Sequence, residues 1–467
     1  MKNKNKNKNK NKNKNIDNEL LKSGNPADLR ILIKSKHPAI ISELISSLSS
    51  GEIWAILQHA GKPLRSEIFS YLDEDLQVEI VETLSFKDVA DLMEDMSPDV
   101  RTDLFKNLSE TLRESVLPVL AKAEREDIRS LSAYREGTAG AVMTSDYATL
   151  TPDLTTSQAI EHLREVAPDS ETIYYAYVLG EKRELLGFVS LKRLIVTQRS
   201  VRVDKIMHTD VIFARVEDDQ EDVARKIQKY NLLALPVIND QDALVGIVTQ
   251  DDALDIIIQE HTEDMEKLMA IGGSHEDAVY MKTSVWGHFK NRSPWVITLA
   301  ILGLTSGFIV QHFEGLLMQF TILAMFMPML ADTGGNTGSQ SATLVVRALA
   351  LREVLPKDIF RILTKELKVS LLLGILLGLI AFGRVFFFGG GSGVPENFSL
   401  LRISFAISIA LGLQVVTSTL IGALLPLGAA RMKLDPAVVA SPALTTIVDI
   451  TGLLIYFTVV RALMIGF

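Results

Sequence analysis

The sequence predicts a multidomain fold: an all-α superhelical N-terminal domain, an α/β tandem repeat and a polytopic α-helical membrane domain. Three observations predict it. Between Ile16 and Ala133 apolar residues recur at helical spacing in short segments. Between Tyr134 and Ile258 two passages repeat one another. After Trp295 come nearly all the long apolar runs, so a polar front precedes a membrane back. The expected segments are a disordered Lys/Asn tail at 1–15, the helical domain at 16–133, the repeat at 134–258, a linker helix at 259–290 and the membrane domain with five helices at 291–467.

Charge divides the chain at the same place. From residue 291 onward there are 12 Lys and Arg against 8 Asp and Glu, a balance of +4. Residues 16–290 hold 29 against 49, a balance of −20. So acidic a region repels nucleic acid and attracts cations. The chain has no cysteine, which excludes disulfides and thiolate metal sites. Met1 to Asn15 alternates Lys and Asn after the initiator, lacks the apolar core of a signal peptide and should be disordered.

In the helical domain, Ile40-Ile41, Leu44-Ile45 and Leu48, then Val78, Val81 and Leu84, keep helical spacing. His37-Pro38, Gly61-Lys62-Pro63 and Ser97-Pro98-Asp99 punctuate them. The recurrence suggests stacked short helices. Asp88, Asp91 and Asp95 fall at i, i+3 and i+7, on one expected helix face. Such a face is either solvated or a weak divalent-cation site, since like charges at this spacing destabilise a helix unless neutralised.

In the repeat, Val142-Met143-Thr144-Ser145-Asp146-Tyr147 corresponds to Ile206-Met207-His208-Thr209-Asp210-Val211, and Leu186-Gly187-Phe188-Val189-Ser190 to Val245-Gly246-Ile247-Val248-Thr249. Each copy reads strand, helix, strand-turn-strand, helix, with Leu235-Pro236-Val237-Ile238 as a short buried strand. This resembles a pair of CBS domains. In such modules an acid after the last strand often holds a nucleotide ribose; here Asp252 is the candidate, while the first copy has Ser190-Leu191-Lys192-Arg193. One nucleotide site per chain, for ATP for example, is the most this allows. A helix is expected from about Asp251 to Ile271, with Asp252 and Asp255, then Glu260 and Asp264, one turn apart. Oxygen-rich clusters of this kind suit Mg²⁺ or Ca²⁺ better than transition metals.

The expected spans are Trp295–Val310, Leu316 to about Val346, Val369–Phe388, Ile403–Leu427 and Ala443–Ile465. Basic residues between spans two and three (Arg347, Arg352, Lys357, Arg361, Lys365, Lys368) and between four and five (Arg431, Lys433) mark the side of the N-terminal domains as cytoplasmic. Ala331-Asp332-Thr333-Gly334-Gly335-Asn336-Thr337-Gly338-Ser339-Gln340 should interrupt the second span, lining a cavity or forming a loop. Asp449 lies about a third of the way into the last span, where a carboxylate costs roughly 2.5–3.5 kcal/mol on insertion scales. It either pairs with another helix or serves a cation path. Small and hydroxylated neighbours (Ser441, Thr445, Thr446, Thr451, Gly452) favour the path.

Three groups of motifs, in order, identify a relationship. They are Tyr134-Arg135-Glu136-Gly137-Thr138-Ala139-Gly140-Ala141-Val142-Met143-Thr144; Gly334-Gly335-Asn336-Thr337-Gly338-Ser339-Gln340-Ser341; and Leu434-Asp435-Pro436-Ala437 followed by Ser441-Pro442 and Thr445-Thr446-Ile447-Val448-Asp449-Ile450-Thr451-Gly452. Over essentially its whole length after the tail the chain resembles the MgtE family of magnesium channels.

The resemblance implies a homodimer in the lipid bilayer of the cell membrane, with a central Mg²⁺ pore lined by spans two and five. Asp449 matches the family's pore carboxylate, which holds a largely hydrated Mg²⁺; Asn336 and the carbonyl of Thr445 would support it. Cytosolic Mg²⁺ sensors would fall on Asp91, Asp95, Asp219, Glu221, Asp252, Asp255, Glu260, Glu263 and Asp264. Asn231 stands where some relatives carry an acid, which would alter one sensor site. High cytosolic Mg²⁺ would bridge the acidic faces and hold the pore closed, and low Mg²⁺ would release them. Two rival readings stay open: a carrier for another divalent ion such as Co²⁺ or Ca²⁺, and a membrane-anchored nucleotide sensor without transport. No nucleophile–base arrangement or phosphate-cradling loop suggests an enzyme.

Overall fold

The computed structural model describes residues 21, 25–272, 280, 283–388, 398–439 and 442–465, as two units, 1–258 and 259–467. The expected tail and Ser441 lie outside the described residues.

In the first unit, the breaks seen in the sequence become helix starts. Pro26, Pro38 and Pro98 stand at the first helical position, where the missing N–H is not needed. The helices are α1 (Pro26–Ser35), α2 (Pro38–Ile45), α3 (Ser50–Leu57), α4 (Lys62–Ser70), α5 (Glu74–Thr83), α6 (Phe86–Glu94), α7 (Pro98–Asn107), α8 (Glu110–Val116) and α9 (Lys122–Leu131). Asn25 caps α1 through Oδ1, and Ser49 and Glu52 form a capping box at α3. From α2 to α9 each helix packs on the one two further along, the signature of a stacked array. Ile45, Ile53, Leu57, Phe69, Ile80 and Val89 form part of its continuous apolar spine. A buried Arg101 closes the C-terminal end of α6, donating to the carbonyls of Met93 (2.8 Å) and Met96 (2.6 Å).

The repeat folds as the alternation requires. Copy one is β1 (Tyr147–Leu150), α10 (Thr156–Val166), β2 (Thr172–Leu179), β3 (Leu185–Ser190) and α11 (Leu191–Val196). Copy two is β4 (Ala214–Arg215), α12 (Gln220–Tyr230), β5 (Ala234–Ile238), β6 (Leu244–Thr249) and α13 (Gln250–Leu268). In each, the first two strands pair parallel across the helix and the last two antiparallel. The five residues of β5 are all buried, as a strand covered on both faces must be. Asn231 ends α12 at φ 52°, a left-handed cap that Asn tolerates.

The second unit is helical. Its long helices are α14 (Val285–His312), α16 (Met327–Ala350), α17 (Ile359–Phe388), α18 (Leu400–Arg431) and α20 (Pro442–Met464), with short α15 (Glu314–Gln319) and α19 (Pro436–Val439) between them. Four of these segments are apolar and long enough to cross a membrane: 285–312, 356–388, 400–431 and 443–464. α16 is long enough but too polar to count by composition.

Two expectations are corrected here. α14 starts ten residues before Trp295 and continues through Pro294. The second span is broken earlier than expected: the helix from Glu314 ends at Gln319, a 3-10 turn covers Thr321–Phe326, and Met327–Ala350 is then one helix through Gly334-Gly335-Asn336-Thr337-Gly338. The backbone stays satisfied inside the helix, and Thr337 turns its hydroxyl back onto the Thr333 carbonyl at 2.9 Å. The glycines serve packing instead. A Cβ on Gly422 of α18 would stand 2.2 Å from the Gly338 carbonyl oxygen, so the two backbones touch there.

Candidate functional site

The membrane helices separate two faces of α16. Gly334, Gly335, Thr337, Gly338, Ser341 and Ala342 are buried against neighbours. On the other side Asp332, Asn336, Gln340, Thr343 and Arg347, at i, i+4, i+8, i+11 and i+15, are exposed. Asn336 Nδ2 donates to Asp332 Oδ1 at 3.1 Å along this stripe.

α20 packs beside it. Leu444, Val448, Tyr456, Phe457 and Val460 are buried, and the Gly338 position lies 3.5 Å from both Leu444 and Val448 side chains. A Cβ at Gly335 would meet the Thr445 methyl at 3.5 Å, which places Thr445 next to the turn that carries Asn336. Thr445 is exposed and Asp449, one turn on, is half-buried. The structure therefore brings Asn336 and Thr445 onto adjoining helix turns, with Asp449 above Thr445. A polar stripe facing hydrocarbon would leave its side chains without partners, so it needs water or a further polar surface.

At the end of α13, Lys267 reaches Glu263 at 2.5 Å and Asp435 at 2.9 Å. Burial alone would lower the Lys267 ammonium, but these two carboxylates hold it above its usual value. Burial, and then the Asp435 charge, push Asp264 up. Two of the nominated sensor residues thus sit around one lysine.

The other nominated carboxylates are largely committed to local roles. Asp91 pairs with Lys62 at 3.0 Å. Asp95 is the C-cap of α6, and its charge acts on Lys62 together with those of Asp91 and Glu94. Asp219 caps α12, accepting from Glu221 N at 2.9 Å, and Glu221 pairs with Arg225. Asp252 accepts from both the N–H and the hydroxyl of Thr249 at the start of α13. Asp255 and Glu260 lie along α13, partly in contact with neighbours. Among the described residues no three Asp, Glu or His side chains converge to hold a metal ion.

A further set of carboxyls in the first unit feel one another's charge: Asp99 on α7, Glu171 before β2, and Asp251 and Asp252 at the start of α13. Burial, and then the Asp99 charge, push Asp252 up to about 6. Burial of its carboxyl end, and then Asp99, Asp252, Asp251 and Asp146, push Glu171 up to about 7, although the residue keeps much of its surface in solvent. Asp99 is raised mainly by burial, and its Oδ1 is buried without a hydrogen-bond partner. Each of these charges makes the others hold a proton more tightly, although the carboxyls do not converge on a single metal position. Asp99 and Glu171 carry no such signal in the sequence. Ser97-Pro98-Asp99 reads as helix punctuation, and nothing local places that first turn beside residues 150 positions away.

Helical array, CBS pair and polar-striped helical bundle together define a polytopic membrane protein with a large soluble N-terminal half. The comparisons agree. Residues 327–459 match the MgtE divalent cation transporter profile, 36–137 the MgtE intracellular N domain, and 139–198 and 203–259 the CBS domain. The magnesium transporter MgtE of Thermus thermophilus is 37% identical over 449 residues, covering 96% of this chain and 97% of the relative. That of Bacillus subtilis is 35% identical over 73% of this chain and 72% of its own. A solved soluble part of a magnesium transporter superposes with TM-score 0.51 at 30% identity, covering 54% of this chain and 98% of that one. The chain belongs to the MgtE family of divalent cation transporters, membrane proteins with a cytosolic N-terminal half.

Proposed function

We propose that the chain conducts Mg²⁺ into the cell as a homodimer and is held closed by cytosolic Mg²⁺. The observation that carries this is the exposed polar stripe of α16, with Thr445 and Asp449 beside it on α20. One chain leaves that stripe uncovered, whereas two copies facing each other would enclose a water-lined path of hydroxyls, amides and carboxylates. Mg²⁺ gives up water reluctantly, so a wide polar path with few charges suits a hydrated ion. Asp449 is the carboxylate of that path, and Asn336 and the Thr445 carbonyl assist it.

In the same reading, the acids at Asp91, Asp95, Asp219, Glu221, Asp252, Asp255, Glu260, Glu263 and Asp264 report cytosolic Mg²⁺. Asp99, Glu171 and Asp251 join them. The mutual repulsion of the Asp99–Glu171–Asp252 group supports this, because a divalent cation would relieve it at neutral pH. The working parts are then 16–133, 134–258, 259–290 and 291–467, with transport and no enzymatic step. A nucleotide such as ATP at the CBS pair is a further element, with Asp252 near its ribose.

Because the chain has no cysteine, one introduced thiol can pair only with a second copy. Asn336→Cys should give an oxidant-dependent dimer band in membranes, and a lipid-facing control, Leu372→Cys, should not. Failure of Asn336→Cys to cross-link and to react with water-soluble thiol reagents would remove the path from this face.

A further inference from the structure

Gln414 lies in the middle of α18, fully buried among membrane helices. Its Nε2 donates to the carbonyl oxygen of Val448, 3.1 Å away, on the turn of α20 that carries Asp449. Two glycines make room for this amide. A Cβ on Gly334 of α16 would stand 2.3 Å from Gln414 Nε2, and one on Gly452 of α20 only 2.2 Å from it. One side chain is therefore clamped between both helices of the proposed path. Its Oε1 is buried and has no hydrogen-bond partner. Ser418, one turn along α18, donates to the Gln414 carbonyl at 2.7 Å and lies 3.2 Å from the Gly334 Cβ position.

We propose that Gln414 is a positioning residue for ion passage: its amide fixes the Val448–Asp449 turn against α16 and thereby sets where the Asp449 carboxylate stands. Three features point past simple helix adhesion. An adhesive amide would pair both its oxygen and its nitrogen, since a polar atom left over in hydrocarbon is unfavourable. The Val448 carbonyl is already an acceptor within its own helix and from Thr451 Oγ1 at 3.2 Å, so the extra donor bears on the geometry of that turn. The glycines facing the amide lie on the two path helices, one of them three residues after Asp449. The inference rests on the reading of Asp449 as the path carboxylate.

The test uses full-length protein in liposomes, with the Mg²⁺ concentration for half-maximal flux and the preference for Mg²⁺ over Ca²⁺ as readouts, and melting in detergent as the folding control. Gln414→Met keeps length and volume and removes the hydrogen bond. It should fold and melt near wild type, yet raise half-saturating Mg²⁺ at least fivefold or lower the Mg²⁺ preference by a similar factor. A further pair covers a misfolded single variant. Gly452→Ala puts a methyl where the amide sits, and Gly452→Ala with Gln414→Ala restores the space without the amide. The double variant should recover melting and keep the altered ion response. Wild-type half-saturation and preference in folded Gln414→Met, or in the double variant, would overturn the proposal. Wild-type flux in Asp449→Asn would instead overturn the reading on which it rests, so the two failures are distinguishable.

Discussion

Asp252→Asn should stabilise the soluble half in the absence of Mg²⁺ and blunt its response to the ion. Burial and the Asp99 charge raise Asp252 from 3.8 to about 6. That rise corresponds to roughly 3 kcal/mol between charged and neutral forms. Solvent around the partly exposed carboxyl reduces it to about 1–2 kcal/mol. The sign follows from proton counting. Between 3.8 and about 6 the native state holds a proton that the unfolded chain has released, so stability falls as pH rises through this window. Glu171, raised from 4.5 to about 7, extends the fall to neutrality. At roughly 2–4 °C per kcal/mol, the wild-type chain without Mg²⁺ should melt several degrees lower at pH 8 than at pH 5. Mg²⁺ should restore most of that loss at pH 8 and little at pH 5, where the carboxyls keep their protons. Thermal melting of the full chain in detergent, at both pH values and with and without Mg²⁺, gives the four values needed. Asn at 252 cannot ionise and still accepts from Thr249, so its curve should be flatter in pH and less responsive to Mg²⁺. Identical pH and Mg²⁺ dependence in both proteins would refute the electrostatic reasoning.

Two further outcomes concern packing and regulation. Gly422→Val places methyl groups where the Gly338 carbonyl already stands 2.2 Å from a Cβ position, so α16 and α18 must separate. Size-exclusion chromatography should show loss of monodisperse protein, and a wild-type profile would contradict the close approach. Lys267→Met removes the ammonium that neutralises Glu263 and Asp435. Those carboxylates become open to Mg²⁺, and inhibition of flux should occur at severalfold lower cytosolic Mg²⁺; an unchanged or higher threshold would show that the lysine does not compete.

The fold was legible where the signal is local. Proline-led helix starts at residues 38 and 98 and the duplicated strand pattern of 134–258 need only neighbouring residues to be read. Asp449 stands out in the sequence because a carboxylate in an apolar run is conspicuous, whereas Asn336 and the Thr445 carbonyl as its supports rest on the family resemblance. The error at Gly334–Gly338 has a physical cause: in water three glycines weaken a helix, but here the cost is offset by contact with Gln414, Ser418 and Gly422 on α18. Those contacts join residues some 80 positions apart. Lys267 between Glu263 and Asp435, and Asp99 near Asp252, were hidden for the same reason. A charge pattern along one helix says which residues are acidic, but their partners come from the tertiary fold.

The central claim is a Mg²⁺ path through Asp449 that the cytosolic ion closes. Purified chain in liposomes, wild type beside Asp449→Asn, with Mg²⁺ varied on the face of the N-terminal half, tests both parts in one flux measurement. The account predicts wild-type flux at low cytosolic Mg²⁺, shut-off as it rises, and flux in Asp449→Asn reduced by an order of magnitude or more in protein that melts normally. Asp449→Asn flux equal to wild type, or wild-type flux indifferent to cytosolic Mg²⁺, would contradict it.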